Sequence, residues 1–197
     1  GQVSRMPGEV MSLPNPYDYM VSGGDPYRLG EALGLRCAAF GFNLDYAPVL
    51  DTWSNPENTV IGKRAFSTTW AGVRDAGPAC AQGLADGGLV PVIKHFPGHG
   101  DTLEDSHITL PLVKKGLSQL MEEELLPFRA AIEGGVPAVM VGHILVEALD
   151  AQYPASLSPR VVDGLLRSTL GFDGMVVTDD LTMGAVANSY PMGEAAV

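Results

Sequence analysis

The fold is decided by the stretch LVPVIKHFPGHGDTLEDSH, residues 89–107, in which an apolar run passes directly into a polar loop. Leu89 to His95 predicts a buried strand, because it is largely apolar and is bounded by glycine and proline signals. The remainder places three of the chain's four histidines within 13 residues. A loop this rich in titratable side chains, directly after a buried strand, indicates a functional site.

Three further apolar runs predict strands of the same kind: Asn43 to Leu50, Val136 to His143, and Gly174 to Thr178. The strands recur at intervals of about 40 residues with helical segments between them, which predicts βα units and a parallel sheet. Asp25-Pro26 and Ser158-Pro159 each predict a helix start, since a capping side chain precedes a proline.

Two predicted helices contain a proline. Leu117 to Glu133 carries an apolar stripe that fits one helix face, and Pro127 should kink or restart it. Pro78 raises the same expectation for the helix from Trp70 to Leu84.

Periodicity alone leaves two α/β architectures open, a doubly wound sheet and a (β/α)8 TIM barrel. The positions of the reactive residues favour the barrel, because a barrel gathers the carboxyl ends of its strands around one mouth. Those residues are Asp51, Lys94 and His95, His143, and Asp179, and they end four different predicted strands. No glycine-rich dinucleotide motif or P-loop follows a strand, so we expect no nucleotide cofactor.

A complete barrel of this type takes about 250 residues. Only four strands can be recognised in the 197 residues. We therefore expect residues 1–197 to be a section of a single catalytic barrel domain, present as a partial barrel that lacks strands at both ends.

The composition excludes some functions. A net charge of −11 repels phosphate backbones and excludes nucleic acid as a partner. No apolar run reaches the roughly 18 residues that a membrane-spanning helix requires. Cys37 and Cys80 have no metal-ligand spacing and are expected to be buried free thiols. The compartment, cytoplasmic or exported, and the oligomeric state stay open.

Within the histidine-rich loop, Asp105 and His107 form a specific pair. A carboxylate two residues from an imidazole can accept its N–H, fix its tautomer and raise its pKa, which is the arrangement of a general acid/base. A metal site is the first alternative, but the histidines lie on a Pro/Gly loop and no H-E-x-x-H pattern occurs, so no metal is expected. A purely structural loop is the second.

A second polar cluster ends the fourth strand at Asp179 and Asp180. Two carboxylates after an apolar strand are costly unless they are paired or used. One carboxylate aimed into the mouth and one capping the next helix would account for both, and a pair that only caps is the alternative.

Four blocks of the sequence together resemble glycoside hydrolase family 3, specifically its β-N-acetylglucosaminidase branch. The most specific block is KHFPGHG followed by DSH. The blocks in chain order are GQVSR at residues 1–5, YAPVLD at 46–51 with IGKRAF at 61–66, KHFPGHG at 94–100 with DSH at 105–107, and the stretch 170–183 that contains TDDLTM.

The resemblance implies a (β/α)8 barrel that cleaves a carbohydrate substrate with retention, through a covalent glycosyl-enzyme. It implies Asp179 as nucleophile and His107, held by Asp105, as acid/base. The positions matching the family's sugar-binding residues are Arg5, Arg64, Lys94 and His95. Asp51, His143 and Asp180 are expected to support the site. The family's upstream sugar-binding carboxylate would precede Gly1, so we expect the activity to belong to the longer parent protein.

Three other functions stay open. A β-glucosidase or β-xylosidase of the same family would take its acid/base from a second domain and would lack the D-S-H loop. A phosphorylase is compatible with a histidine acid/base, because a neutral imidazole does not repel an incoming phosphate. An inactive sugar-binding module is the alternative from another class.

Overall fold

The computed structural model describes residues 13–102 and 110–195. In this part of the chain, four parallel strands form one sheet in the order β1-β2-β4-β6. Their bounds are Leu44–Asp45 for β1, Val90–Phe96 for β2, Ala138–Val141 for β4 and Met175–Thr178 for β6. Each strand joins the same edge of the sheet in sequence order. A doubly wound sheet would reverse that order at a switch point, so the arrangement is that of a barrel wall.

The first strand is more broken than the sequence predicted. Only Leu44–Asp45 pairs as a regular strand with β2, and Val49 then rejoins β2 through a parallel bridge to Lys94. Across the gap, the Val92 N–H donates to the Ala47 carbonyl and the Leu50 N–H donates to the Lys94 carbonyl. These backbone hydrogen bonds connect the segment after β1 to β2. The interruption falls at Pro48, which has no N–H to give to a sheet ladder.

Both faces of the inner strands are buried. Ile93 and Val139 point toward the helices and belong to the main core, whereas Val92, Ala138 and Met140 form a separate cluster on the opposite face. Burial on both sides explains why these strands read as continuous apolar runs. The fourth strand differs from the prediction: β6 lies at the edge of the described sheet, and Met175 is 43% exposed.

Three helices fill the first half of the chain: α1 at Pro16–Val21, α2 at Pro26–Ala39 and α3 at Trp70–Asp86. Asp25 caps α2 as predicted, because its carboxylate accepts the Tyr27 N–H at 2.9 Å. Helix α3 runs through Pro78 without a break. Packing on its buried side, where Val73, Cys80 and Leu84 lie, outweighs the local preference of proline.

The second half contains shorter elements. Helices α4 at Leu117–Glu122 and α5 at Leu125–Glu133 replace the single predicted helix, which confirms the restart near Pro127. The predicted helix is a π-helix at Arg160–Thr169 whose N-cap is Pro159 and not Ser158, although the Ser158 hydroxyl accepts the Val161 N–H at 3.3 Å. Leu117, predicted to be on the buried face, is exposed. The remaining elements are β3 at Leu112–Val113, β5 at Leu145–Val146, 3₁₀ turns at Gly62–Arg64 and Ala155–Leu157, α6 at Gly184–Ala187 and α7 at Met192–Ala195.

The two cysteines are free thiols on neighbouring helices. Cys80 is buried on α3, where burial raises the pKa of its thiol to about 12, and Cys37 is half-buried on α2. Within residues 13–102 and 110–195, no helix is both long and apolar enough to cross a bilayer.

Candidate active site

The carboxyl ends of the four parallel strands meet along one edge of the sheet. Val49 pairs with Lys94, Phe96 with Val141, and Val141 with Thr178. These pairings place the predicted strand-end residues side by side, and we call the polar cluster that they form the mouth: Asp51, Lys94, His95, His143 and Asp179.

Asp51 is the most heavily bonded side chain of the mouth. Its buried carboxylate accepts the His95 Nδ1–H at 2.6 Å and the His99 backbone N–H at 2.7 Å. The His95 backbone N–H adds longer bonds of 3.2 and 3.3 Å. Burial alone would raise the pKa of Asp51, but the interactions with His95 and His99 outweigh it and lower that pKa. Asp51 therefore holds the start of the histidine-rich loop and orients the ring of His95.

His99 continues this anchoring further along the histidine-rich loop. Its ring is buried, and Nδ1 lies 2.7 Å from the Thr102 hydroxyl, which in turn donates to the His99 carbonyl at 3.0 Å. Asn58 donates to the same carbonyl at 2.7 Å. Burial lowers the pKa of His99, so a neutral ring suits this position. The loop from His95 to Thr102 is thus fixed by side chains of its own and of Asp51.

Asp179 and Asp180 have different surroundings, although they are adjacent. The Asp180 carboxylate accepts both the N–H and the hydroxyl of Thr182, and these bonds lower its pKa. It caps a turn and not helix α6, so the predicted helix cap is wrong in this detail. Asp179 is half-buried, and one of its carboxylate oxygens accepts the Asp180 N–H at 2.9 Å. Its other oxygen has no bond to a described residue, which leaves it available in the mouth.

Lys94 and Arg64 bring positive charge to the mouth. Burial, followed by the charge of Arg64, lowers the pKa of Lys94, while Asp179, Asp45 and Asp51 act in the opposite direction. Arg64 donates one N–H to the Val60 carbonyl at 3.2 Å. Its buried Nε–H has no partner among residues 13–102 and 110–195. Arg64 therefore keeps an N–H donor that no described residue uses, and Lys94 adds a positive charge that interacts with Asp179.

His143 does not face solvent, and it contacts the backbone of the residue that follows Asp179. Its ring is fully buried, with Nδ1 2.7 Å from the Ser156 hydroxyl and Nε2 2.9 Å from the Asp180 carbonyl. A carbonyl only accepts, so Nε2 carries the proton. Sequence reasoning placed His143 near the site but missed Ser156, which is 13 residues away and has no motif to mark it.

A cluster around Lys115 was also missed. Its ammonium pairs with Asp101 at 3.0 Å, with Glu123 at 2.7 Å and with Glu124, and it lies 5.3 Å from the ring centre of Trp70. These hydrogen bonds overcome the effect of burial and raise the pKa of Lys115. Asp101 immediately precedes the segment that carries the predicted dyad, and Lys115 follows it. Nothing local in the sequence indicates that these two residues meet.

Three predicted site residues, Asp105, His107 and Arg5, lie outside the described residues. Within the described part of the chain, no group of three or more His, Cys, Asp or Glu side chains is arranged to hold a metal ion.

The fold and the mouth together define part of the wall of a (β/α)8 barrel, with its polar residues at the carboxyl ends of the strands. The chain belongs to glycosyl hydrolase family 3: residues 22–197 match the N-terminal domain of that family. This confirms the barrel fold and the family that the sequence motifs indicated.

Several known proteins are similar to the chain. The β-hexosaminidase LpqI of Mycobacterium tuberculosis is 40% identical over 176 residues, which cover 85% of this chain and 44% of that protein. A β-hexosaminidase of Methylococcus capsulatus is 38% identical over 197 residues, or 96% of this chain and 58% of that protein. The structure of a family 3 β-N-acetylglucosaminidase from Paenibacillus sp. matches with a TM-score of 0.96 and 42% identity, over 100% of this chain and 38% of that one. The chain thus spans about half the length of the curated relatives that it matches.

Proposed function

We propose that the protein containing this chain is a retaining, exo-acting β-N-acetylglucosaminidase with Asp179 as its nucleophile. The observation that carries the proposal is the contrast between the two adjacent carboxylates at the end of β6. Asp180 is occupied by Thr182, whereas Asp179 keeps an oxygen available in the mouth and interacts electrostatically with Lys94. A nucleophile needs this combination of a fixed carboxylate and an accessible oxygen.

The proposed reaction has two steps. In the first, an Asp179 oxygen attacks the anomeric carbon, the bond to the leaving oxygen breaks, and His107 gives its proton to that oxygen. In the second, water attacks the glycosyl-enzyme, His107 takes a proton from the water, and the bond to Asp179 breaks. A histidine in this role replaces one of the two carboxylates usual in retaining glycosidases.

The described residues support the acid/base assignment indirectly. His99, Thr102 and Asp101 hold the chain up to the residue where the segment carrying Asp105 and His107 begins. Arg64 and Lys94 would donate hydrogen bonds to the sugar, which suits side chains that stay charged and carry several donors. The names of the similar proteins, β-hexosaminidase and β-N-acetylglucosaminidase, support an N-acetylated hexose as the substrate. Terminal N-acetylglucosamine of peptidoglycan fragments or chitooligosaccharides fits this proposal.

The test is to assay the full-length protein and its Asp179→Ala variant on aryl β-N-acetylglucosaminide and aryl β-glucoside, with and without phosphate. We expect the wild type to prefer the N-acetylated substrate and the variant to lose about 10⁴-fold or more in kcat. Asp173→Ala removes an exposed carboxylate close to β6 and should retain normal turnover. Near-normal turnover by Asp179→Ala would overturn the nucleophile, and strict dependence on phosphate would make the enzyme a phosphorylase.

The acid role of His107 is tested with the same substrates in a leaving-group series. His107→Ala should lose about 10²- to 10⁴-fold on poor leaving groups and much less on activated nitrophenyl substrates, which leave without a proton. Equal losses across the series would contradict an acid role for this histidine.

A further inference from the structure

The backbone of Asp180 connects the candidate nucleophile to two buried side chains that the proposed reaction does not use. The Asp180 N–H donates to an Asp179 carboxylate oxygen at 2.9 Å, and the Asp180 carbonyl accepts the His143 Nε2–H at 2.9 Å. The same residue therefore binds the nucleophile on one side and is held by His143 on the other.

The chain just before Asp180 is fixed as well. The Asp179 N–H donates to the Val141 carbonyl at 2.9 Å, which continues the ladder between β4 and β6. With that bond in place, the orientation of the next residue decides where the Asp180 N–H meets the Asp179 carboxylate. His143 restricts that orientation, since rotation of the Asp180 backbone would break the bond from Nε2.

Ser156 determines whether His143 can hold this position. With the Nε2 proton committed to the Asp180 carbonyl, Nδ1 of a neutral ring is an acceptor, and the Ser156 hydroxyl 2.7 Å away supplies the proton. Ser156 is 9% exposed and His143 is fully buried, so losing the hydroxyl would leave a buried ring nitrogen without a partner. The other tautomer of His143 would not restore the bonds, because an unprotonated Nε2 and the Asp180 carbonyl oxygen would be two acceptors facing each other.

We propose that Ser156 and His143 are positioning residues that aim the Asp179 carboxylate through the backbone of Asp180. We call this set, Ser156, His143 and Asp180, the Ser156–His143 relay. The relay rests on the proposed role of Asp179 as nucleophile. Neither side chain touches the sugar, so the relay acts on the rate of attack and not on binding. Displacing a reacting group by about 1 Å is enough to cost on the order of 100-fold in rate.

The test uses the full-length enzyme and measures kcat/KM on aryl β-N-acetylglucosaminides together with inhibition by free N-acetylglucosamine. His143→Phe should lower kcat/KM about 100-fold and Ser156→Ala about 5- to 10-fold, with the inhibition constant unchanged within about twofold. The loss should be the same for activated and poor leaving groups, because the acid/base is intact. His143→Gln keeps an N–H for the Asp180 carbonyl, so it should retain more activity than His143→Phe. Ser156→Thr keeps the hydroxyl, so it should retain more activity than Ser156→Ala.

Ser158→Ala is the matched control. Ser158 is a buried serine of the same segment, but its hydroxyl donates to Asp150 at 2.7 Å and does not contact His143. The control should lower the melting temperature and leave kcat/KM unchanged. If His143→Phe fails to fold, Ser156→Ala with its threonine rescue decides the question.

The outcomes separate the two proposals. Inactive Asp179→Ala with wild-type kcat/KM for Ser156→Ala would overturn the relay alone, as would a loss in Ser158→Ala equal to that in Ser156→Ala. Turnover by Asp179→Ala would overturn the proposed function, and the relay with it.

Discussion

At the scale of single residues, the mouth depends on a carboxylate that never needs to meet the substrate. Asp51 is 1% exposed and receives N–H groups from two histidines of the loop. A buried charge is tolerated only where such bonds replace its hydration. Its sequence position at a strand end predicted a supporting role, whereas the identity of its partners depends on the loop folding back over it.

Asp51→Asn tests this support by thermal and denaturant unfolding between pH 3 and 7. The amide turns one acceptor into a donor that faces other donors, so we expect a loss of about 3–5 kcal/mol in the free energy of unfolding at pH 7. Because the folded pKa of Asp51 lies below its ordinary value, its stabilisation is present above about pH 4 and is lost as the pH falls through the folded pKa. The difference between wild type and variant should therefore shrink below about pH 4. Asp173→Asn, an exposed control, should show no such difference at any pH.

At the scale of elements, helices α2 and α3 approach so closely that their contact is made by glycines. A Cβ on Gly30 would lie 2.1 Å from the Cys80 carbonyl oxygen, and one on Gly83 would lie 2.1 Å from the Tyr27 carbonyl oxygen. In both cases the added Cβ would meet a backbone oxygen and not a flexible side chain that could move aside. The helices can take these positions only without side chains there.

Gly83→Ala is therefore expected to destabilise the protein by about 1–3 kcal/mol, because α2 and α3 must separate. Gly164→Ala is the matched control: Gly164 is exposed on the π-helix, and a Cβ there meets nothing within 4 Å. Because alanine has a higher helix propensity than glycine, Gly164→Ala should leave the free energy of unfolding unchanged or raise it by up to about 1 kcal/mol. The free energy of unfolding of both variants is measured by chemical denaturation. Equal effects of the two substitutions would contradict the close-contact explanation.

The two helical prolines show that the effect of a proline on a helix depends on its position in that helix. Pro127 is the third residue of α5, in the first turn, where backbone N–H groups have no partner within the helix in any case. The sequence predicted this restart correctly. Pro78 is in the interior of α3, which nevertheless continues through it. Its tolerance follows from tertiary packing of α3, which no local pattern contains.

At the scale of the whole molecule, Lys115 joins parts of the chain that are distant in sequence. It contacts Trp70 at the start of α3, Asp101 in the histidine-rich loop, and Glu123 and Glu124 between α4 and α5. Three carboxylates share one ammonium, and one oxygen of buried Glu124 has no hydrogen bond among the described residues. Removing the lysine would leave three negative charges close together.

Lys115→Met should lower the free energy of unfolding by about 1–3 kcal/mol at pH 7. The raised pKa of Lys115 means that its contribution is fully present below its ordinary pKa and is lost only as the pH rises through the higher folded value. At low pH the carboxylates lose their charge instead, so the difference from wild type should decrease below about pH 4. Melting curves over pH 3–9 provide the measurement, with Lys114→Met as the exposed control. A difference that stays constant down to pH 3 would contradict the ion-pair origin.

The sequence by itself determined the barrel class, the family and the strand-end residues of the mouth. Apolar runs that are buried on both faces, followed by polar residues, are local patterns, and parallel pairing then brings the polar ends together. Only the tertiary structure decided which neighbours those residues have: Asp51 with His95 and His99, Asp101 with Lys115, and His143 with Ser156 and the Asp180 carbonyl. These partners are 13 to 48 positions apart along the chain. Their pairing depends on distances in the folded chain, which no spacing in the sequence encodes.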